Sequence, residues 1–173
     1  MSVTFIIAQV FGVFGLIAMV IALFQKKRGD MLGLVSLNCI FFSIEYLLLG
    51  AYAGMGSNIV ALARTVLFKK RAEDERFNKI WIYIGVMIAY TIMAVLTYQS
   101  PVSLLPIAAE YIYATALWQI DVKKIRYGTA IMVVFWLTYD IIVKAWPSMV
   151  CDLIVLTTAI LSIIKNREKT TKE

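Results

Sequence analysis

The chain has 173 residues, 61% hydrophobic and 16% charged, with a net charge of +6 and no histidine. A mean hydropathy of +0.81 is too high for one soluble core to hide the apolar surface. Lack of histidine excludes Ser-His and Cys-His catalysis, and Cys39 and Cys151 have no metal-ligand spacing, so they read as structural thiols.

Apolar stretches long enough to cross a bilayer, roughly 18 residues or more, recur along the chain. The first, Val3–Phe24, spaces Gly12, Gly15, Ala18 and Ala22 as small residues that permit close helix packing. It has no basic n-region and its charges follow the apolar run, so it is expected to be a retained helix and not a signal peptide. The second, Met31–Tyr52, sets Asn38, Glu45 and Tyr52 in one polar stripe. A third, Gly54–Phe68, is short: fifteen helical residues reach about 22 Å against ~30 Å of hydrocarbon. Lys69, Lys70 and Arg71 can snorkel to the interface and let it span. Arg64 is the one cation central to any of these stretches.

A charged linker, Lys69–Lys79, leads to Ile80–Tyr98 and then Pro101–Gln119. On the latter, Ser103, Pro106, Glu110 and Tyr113 or Ala114 share a helical face. Pro106 is expected to kink the helix and free a carbonyl near the acid. In Tyr127–Trp146, Thr129, Trp136 and Asp140 share a face, with the indole one turn from the carboxylate. Pro147–Ile164 carries Asp152 near its start, as Gly54–Phe68 carries Asn58. Both read as helix caps, because helix N-termini favour polar and anionic groups.

Of the 17 Lys and Arg, 15 fall in four clusters: 26–28, 69–79, 123–126 and 165–172. If all seven stretches span, every cluster lies on one side, which the positive-inside rule makes cytoplasmic. The amino terminus is then outside and the carboxyl terminus cytoplasmic. The net charge is thus a matter of topology and anionic headgroups, and nucleic-acid binding is not expected.

Ala22-Leu23-Phe24-Gln25 returns as Ala116-Leu117-Trp118-Gln119, each time before a basic loop. Phe41/Glu45 then matches Trp136/Asp140, Asn58 matches Asp152, and Gly12 matches Pro106. The simplest cause is duplication of three membrane-length helices. Both triplets keep their basic loops on one side, so they are parallel repeats, and one linker helix must restore the chain direction. The expected architecture is all-α, with seven transmembrane helices arranged 3+1+3. It divides as 1–71, first bundle; 72–99, linker and fourth helix; 100–167, second bundle; and 168–173, cytoplasmic tail.

Glu45-Tyr46-Leu47-Leu48-Leu49-Gly50-Ala51-Tyr52, Ser103-Leu104-Leu105-Pro106 and the Gln25 and Gln119 repeats resemble the YgjV-type bacterial inner membrane family over nearly the whole chain. The 3+1+3 plan is similar to the SWEET/PQ-loop transporter fold, shared by vitamin uptake proteins of the PnuC type. The resemblance implies that fold and a bacterial inner membrane, multi-pass; it carries no substrate. Gly54 stands where PnuC-type proteins have an acid. Their tryptophan-rich motif and the proline–glutamine pair of PQ-loop proteins are missing.

Ionisable groups inside a bilayer cost a few kcal/mol each and generally face a bundle interior or cavity. Asn38, Glu45, Asn58, Arg64, Glu110, Trp136, Asp140 and Asp152 are therefore the candidate solute pathway, with Gly12 and Pro106 as hinges. An aromatic face beside a carboxylate, as in Trp136/Asp140, suits a cationic or ring-bearing solute. Arg64 is expected to pair with Glu110 or Glu45. The reading is a carrier or facilitator of a small polar solute, without cofactor or metal and not an enzyme, with self-association expected from the fold. A non-transporting accessory, assembly or sensor role is the alternative, and an intramembrane enzyme using carboxylates alone is a lesser one.

Overall fold

The computed structural model describes residues 2–25, 27–119 and 121–170. Lys26, Lys172 and the rest of 171–173, counted above among the basic clusters and the tail, lie outside the described residues. So do the side chains of Arg28, Lys165, Arg167 and Lys169.

Among the described residues the chain is all-helical, with seven α-helices. They are α1 (Val3–Leu23), α2 (Arg28–Leu48), α3 (Tyr52–Glu73), α4 (Ile80–Leu96), α5 (Leu104–Trp118), α6 (Val122–Val143) and α7 (Trp146–Thr170). Short 3-10 turns, Glu75–Phe77 and Pro101–Ser103, precede α4 and α5. Local chemistry sets several starts. The Ser2 hydroxyl accepts from Phe5 N at 3.2 Å to cap α1, and Asp121 accepts from Lys123 N at 2.8 Å to cap α6.

Four helices are long and apolar enough to cross a membrane: α1, α2, α6 and α7. The apolar α4 is shorter. The third helix corrects the expectation of a short segment. It runs 22 residues, about 33 Å at 1.5 Å per residue, because the basic stretch after Phe68 stays helical. The Arg71 guanidinium anchors that stretch, lying 3.6 Å over the Trp118 ring and donating to the Trp118 carbonyl at 2.8 Å.

Packing order follows from which faces are small or polar. α1 packs on α2, α2 on α3, α5 on α6 and α6 on α7; α1 also meets α7, α3 meets α5, and α4 rests on α3 and α5. Six helices thus surround an interior while α4 lies outside. The small stripe of α1, with Ala8, Gly12, Gly15, Ala18 and Ala22, is its buried face. Its opposite face exposes Val10, Phe14, Ile17 and Ile21, and α4 exposes Trp81, Ile88, Ile92 and Val95. An apolar belt of that extent suits contact with lipid tails.

The turns after α2 and α6 are built alike. Each passes through a left-handed residue, Gly50 (φ 71°) and Lys144 (φ 61°). Each closes with a long-reach backbone bond, Ala51 N to Tyr46 O at 2.8 Å and Ala145 N to Asp140 O at 3.0 Å. Glycine tolerates this conformation, whereas Lys144 adopts it at roughly 1–2 kcal/mol. Gln9 on α1 clamps the second turn, donating to the Lys144 carbonyl and accepting from Trp146 N, both at 3.2 Å.

Candidate functional site

Glu110, midway along α5, gathers partners from three other helices. Arg64 of α3 forms a buried ion pair with its Oε2. The Tyr90 hydroxyl of α4 donates to the same oxygen at 2.9 Å, and the Trp136 indole of α6 donates to Oε1 at 3.2 Å. The guanidinium also lies 4.8 Å from the centre of the Tyr113 ring. A buried carboxylate needs such partners for both oxygens. Arg64 pairs with Glu110 and not with Glu45.

Nearer the α2–α3 and α6–α7 turns, two further carboxyl groups are buried. The Tyr46 hydroxyl of α2 donates to Asp140 Oδ1 of α6 at 2.6 Å. The Ser148 hydroxyl of α7 donates to Glu45 Oε2 at 2.6 Å. Asp140 Oδ2 and Glu45 Oε1 have no partner among the described residues. Around them Tyr46 stacks on Trp136, with centroids 5.7 Å apart, and Trp136 meets Tyr139 edge-on at 6.0 Å. Gly12 has a specific reason to be glycine: a Cβ there would lie within 2.6 Å of Glu45 Oε2 and closer still to the rest of its carboxyl group. The small residue admits an acid.

These contacts come in pairs. Tyr46 and Asp140, 94 residues apart, bond to one another and hold matching places before the two turns. At that separation Glu45 corresponds to Tyr139, and Gly54 to Ser148. Glu45 takes a hydrogen bond from Ser148, while Tyr139 takes one from Gly54 N at 3.1 Å. The sequence match of Glu45 with Asp140 is therefore one residue out of register. The acid and its neighbouring tyrosine have exchanged order, Glu45-Tyr46 against Tyr139-Asp140.

A cavity of about 160 Å³ lies between the helices. Its walls repeat the same correspondence: Met19 and Tyr113, Phe42 and Trp136, Asn58 and Asp152, Ala61 and Val155. Asn38, Arg64 and Glu110 line it too. A second hollow of about 340 Å³ is bordered by Phe68, Lys69, Arg71 and Ile125 towards the basic loops. It shares Val35, Arg64 and Tyr113 with the first.

The model of the bacterial inner membrane protein family Imp-YgjV matches residues 6–170. The chain belongs to that family. No curated protein and no solved structure matches it. Membership agrees with the exposed apolar belt and the four membrane-length helices.

For this family member, six candidates meet at the cavity: Asn38, Asn58, Arg64, Glu110, Trp136 and Asp152. Asp140 borders it through Tyr46, and Glu45 is buried against Ser148 and Gly12. Several expectations need correction. Asp152 and Asn58 do not cap helices: α7 begins at Trp146 and α3 at Tyr52, more than a turn earlier in each case. Asn58 donates instead to the Gly54 carbonyl at 3.0 Å, and Asn38 to the Gly15 carbonyl of α1 at 3.0 Å. Trp136 serves Glu110, not Asp140, because its indole nitrogen points across the bundle. Tyr52 starts α3 and is 43% exposed, so it leaves the Asn38/Glu45 stripe. Pro106 falls in the first turn of α5, where a missing N–H is tolerated, and not at an interior kink.

Tyr46, Tyr90 and Ser148 carry as much of the site as the acids do, and the sequence does not single them out. Each looks like ordinary apolar-helix composition when read alone. The exchanged Glu-Tyr and Tyr-Asp pairs were the available signal for Tyr46.

Proposed function

We propose that this protein is a small carrier or facilitator that moves a small polar solute along a pathway between two parallel triple-helix repeats. The repeats are α1–α3 and α5–α7, with α4 as the single linking helix, a 3+1+3 plan like that of SWEET/PQ-loop transporters. The observation that carries this reading is the cavity walled by corresponding residues of both triplets, Asn58 with Asp152 and Phe42 with Trp136. Duplicated membrane proteins tend to hold their substrate where the repeats meet. Reciprocal contacts support the repeat: α1 rests on α7 as α5 rests on α3, and Glu45–Ser148 answers Tyr139–Gly54.

Orientation follows the basic loops, which put the amino terminus outside and the α2–α3 and α6–α7 turns on the outer face. On that view the hollow beside Lys69 and Arg71 is a cytoplasmic vestibule. The Tyr46–Asp140 bond and the ring stack around it close the outer side. Alternation then requires these contacts to part while the vestibule narrows. The bilayer and the solute are the partners, and self-association is expected by analogy with the fold.

Entry of amines, polyols and amino acids into proteoliposomes, compared with protein-free liposomes, tests the reading. Saturable entry of at least one class, lost in Asp140→Asn with the protein still folded, is expected. If no class enters, or if Asp140→Asn and Glu110→Gln only lower thermal stability, the transport reading fails. A stoichiometric co-purifying protein would then favour an accessory role.

A further inference from the structure

Three carboxyl groups are buried in the bundle, Glu45, Glu110 and Asp140; a fourth, Asp152, is half-buried with its Oδ2 enclosed, and Arg64 is the one buried cation among the described residues. Their situations differ. Glu110 is neutralised by Arg64 and bonded at both oxygens. Asp140 and Glu45 each have one hydroxyl donor, Tyr46 and Ser148 respectively. Asp152 lines the cavity, and its Oδ2 is buried without any partner. The corresponding residue in the first half, Asn58, is an amide already bonded to its own helix. The pairing of the two halves thus breaks at this position, with an ionisable carboxyl on one side only.

A buried carboxylate without a donor is expensive unless something supplies one. Among the described residues no side chain donates to Asp152 Oδ2, and the Arg64 charge is paired with Glu110. The aromatic walls, Phe42 and Trp136, present ring surface to the same space, and such surface attracts cations as well as flat apolar groups. The one cation lining this space, Arg64, is neutralised by Glu110, although its Nε has no partner among the described residues. The volume of about 160 Å³ leaves room for a small solute.

We propose that the solute is a small organic cation, an ammonium on a compact apolar or aromatic body, whose N–H groups are received by Asp152 while its body lies against Phe42 and Trp136. This rests on the transport reading for its passage, but not for its binding.

The test uses the full chain in lipid nanodiscs and three probes of matched shape: benzylamine, benzyl alcohol and benzoate. Calorimetric titration should give saturable benzylamine binding at least tenfold tighter than either of the others. Asp152→Asn should weaken benzylamine at least tenfold while leaving benzyl alcohol unchanged. If benzyl alcohol or benzoate binds as tightly as benzylamine to the unmodified protein, the proposal is overturned, and that comparison does not depend on any variant folding. Unchanged benzylamine affinity in a folded Asp152→Asn protein overturns it equally. Benzylamine entry into proteoliposomes separates the two claims. Asp152-dependent binding without entry supports the cation site and refutes transport, whereas entry with no preference for benzylamine does the reverse.

Discussion

Breaking the Arg64–Glu110 pair from one side should be far more damaging than removing it altogether. Arg64 is 4% exposed and Glu110 5%, so neither charge can turn to water. Glu110→Leu leaves a buried guanidinium without its carboxylate and takes the acceptor from the Tyr90 hydroxyl and the Trp136 indole N–H. Loss of one partner of a buried pair costs about 3–5 kcal/mol. For a chain of this size that corresponds to a fall in Tm of about 6–20 °C, at 2–4 °C per kcal/mol. Arg64→Met alone should cost a similar amount, since it strands the carboxylate. The double variant Arg64→Met/Glu110→Leu removes both charges and should recover most of the loss, because replacing a buried pair with apolar groups is often neutral or stabilising. Thermal unfolding in detergent, with an SDS titration as a second readout, gives the double-mutant cycle. Single variants within 2 °C of the parent (about 1 kcal/mol or less), or a double variant no better than the sum of the singles, would refute the reasoning.

Other consequences are sharper in sign than in size. Gly12→Ala drives a methyl into the Glu45 carboxyl and should destabilise by about 1–3 kcal/mol; adding Glu45→Ala should restore part of that, and a melt that shows no rescue would refute the contact. Tyr46→Phe removes the donor to Asp140 and should cost about 1–3 kcal/mol while Asp140→Asn, which keeps a polar group there, costs less; unfolding curves of both variants decide the order. In a background with Cys39→Ala and Cys151→Ala, a thiol introduced by Lys27→Cys should react with an impermeant maleimide only from the cytoplasmic side, and one introduced by Tyr98→Cys only from outside. The opposite pattern would reverse the orientation derived from the basic loops.

Much of the membrane character was legible one residue at a time. The apolar stretches became helices with ends shifted by only a few residues, and the small stripe of α1 proved to be its buried face. Glu45, Glu110 and Asp140 were recognisable as interior groups because a charge in an apolar run has few other places to go. Partner choice was harder to read. Trp136 lies one turn from Asp140 in sequence, yet its indole nitrogen reaches α5. Asn58 and Arg64 are about 120° apart on an ideal helix, yet both reach the cavity, because a long arginine side chain can bridge that angle.

Hydropathy is a sum along the chain, so the sequence alone determined the helices and their number. What binds what depends on the rotation of each helix about its axis and on which helices are neighbours. Only the packed bundle could decide that Tyr46 meets Asp140, that Gly12 makes room for Glu45, and that Asp152, which lines the cavity, has an Oδ2 without a donor among the described residues. Directional hydrogen bonds and steric fit belong to three dimensions, and no periodicity in one dimension encodes them.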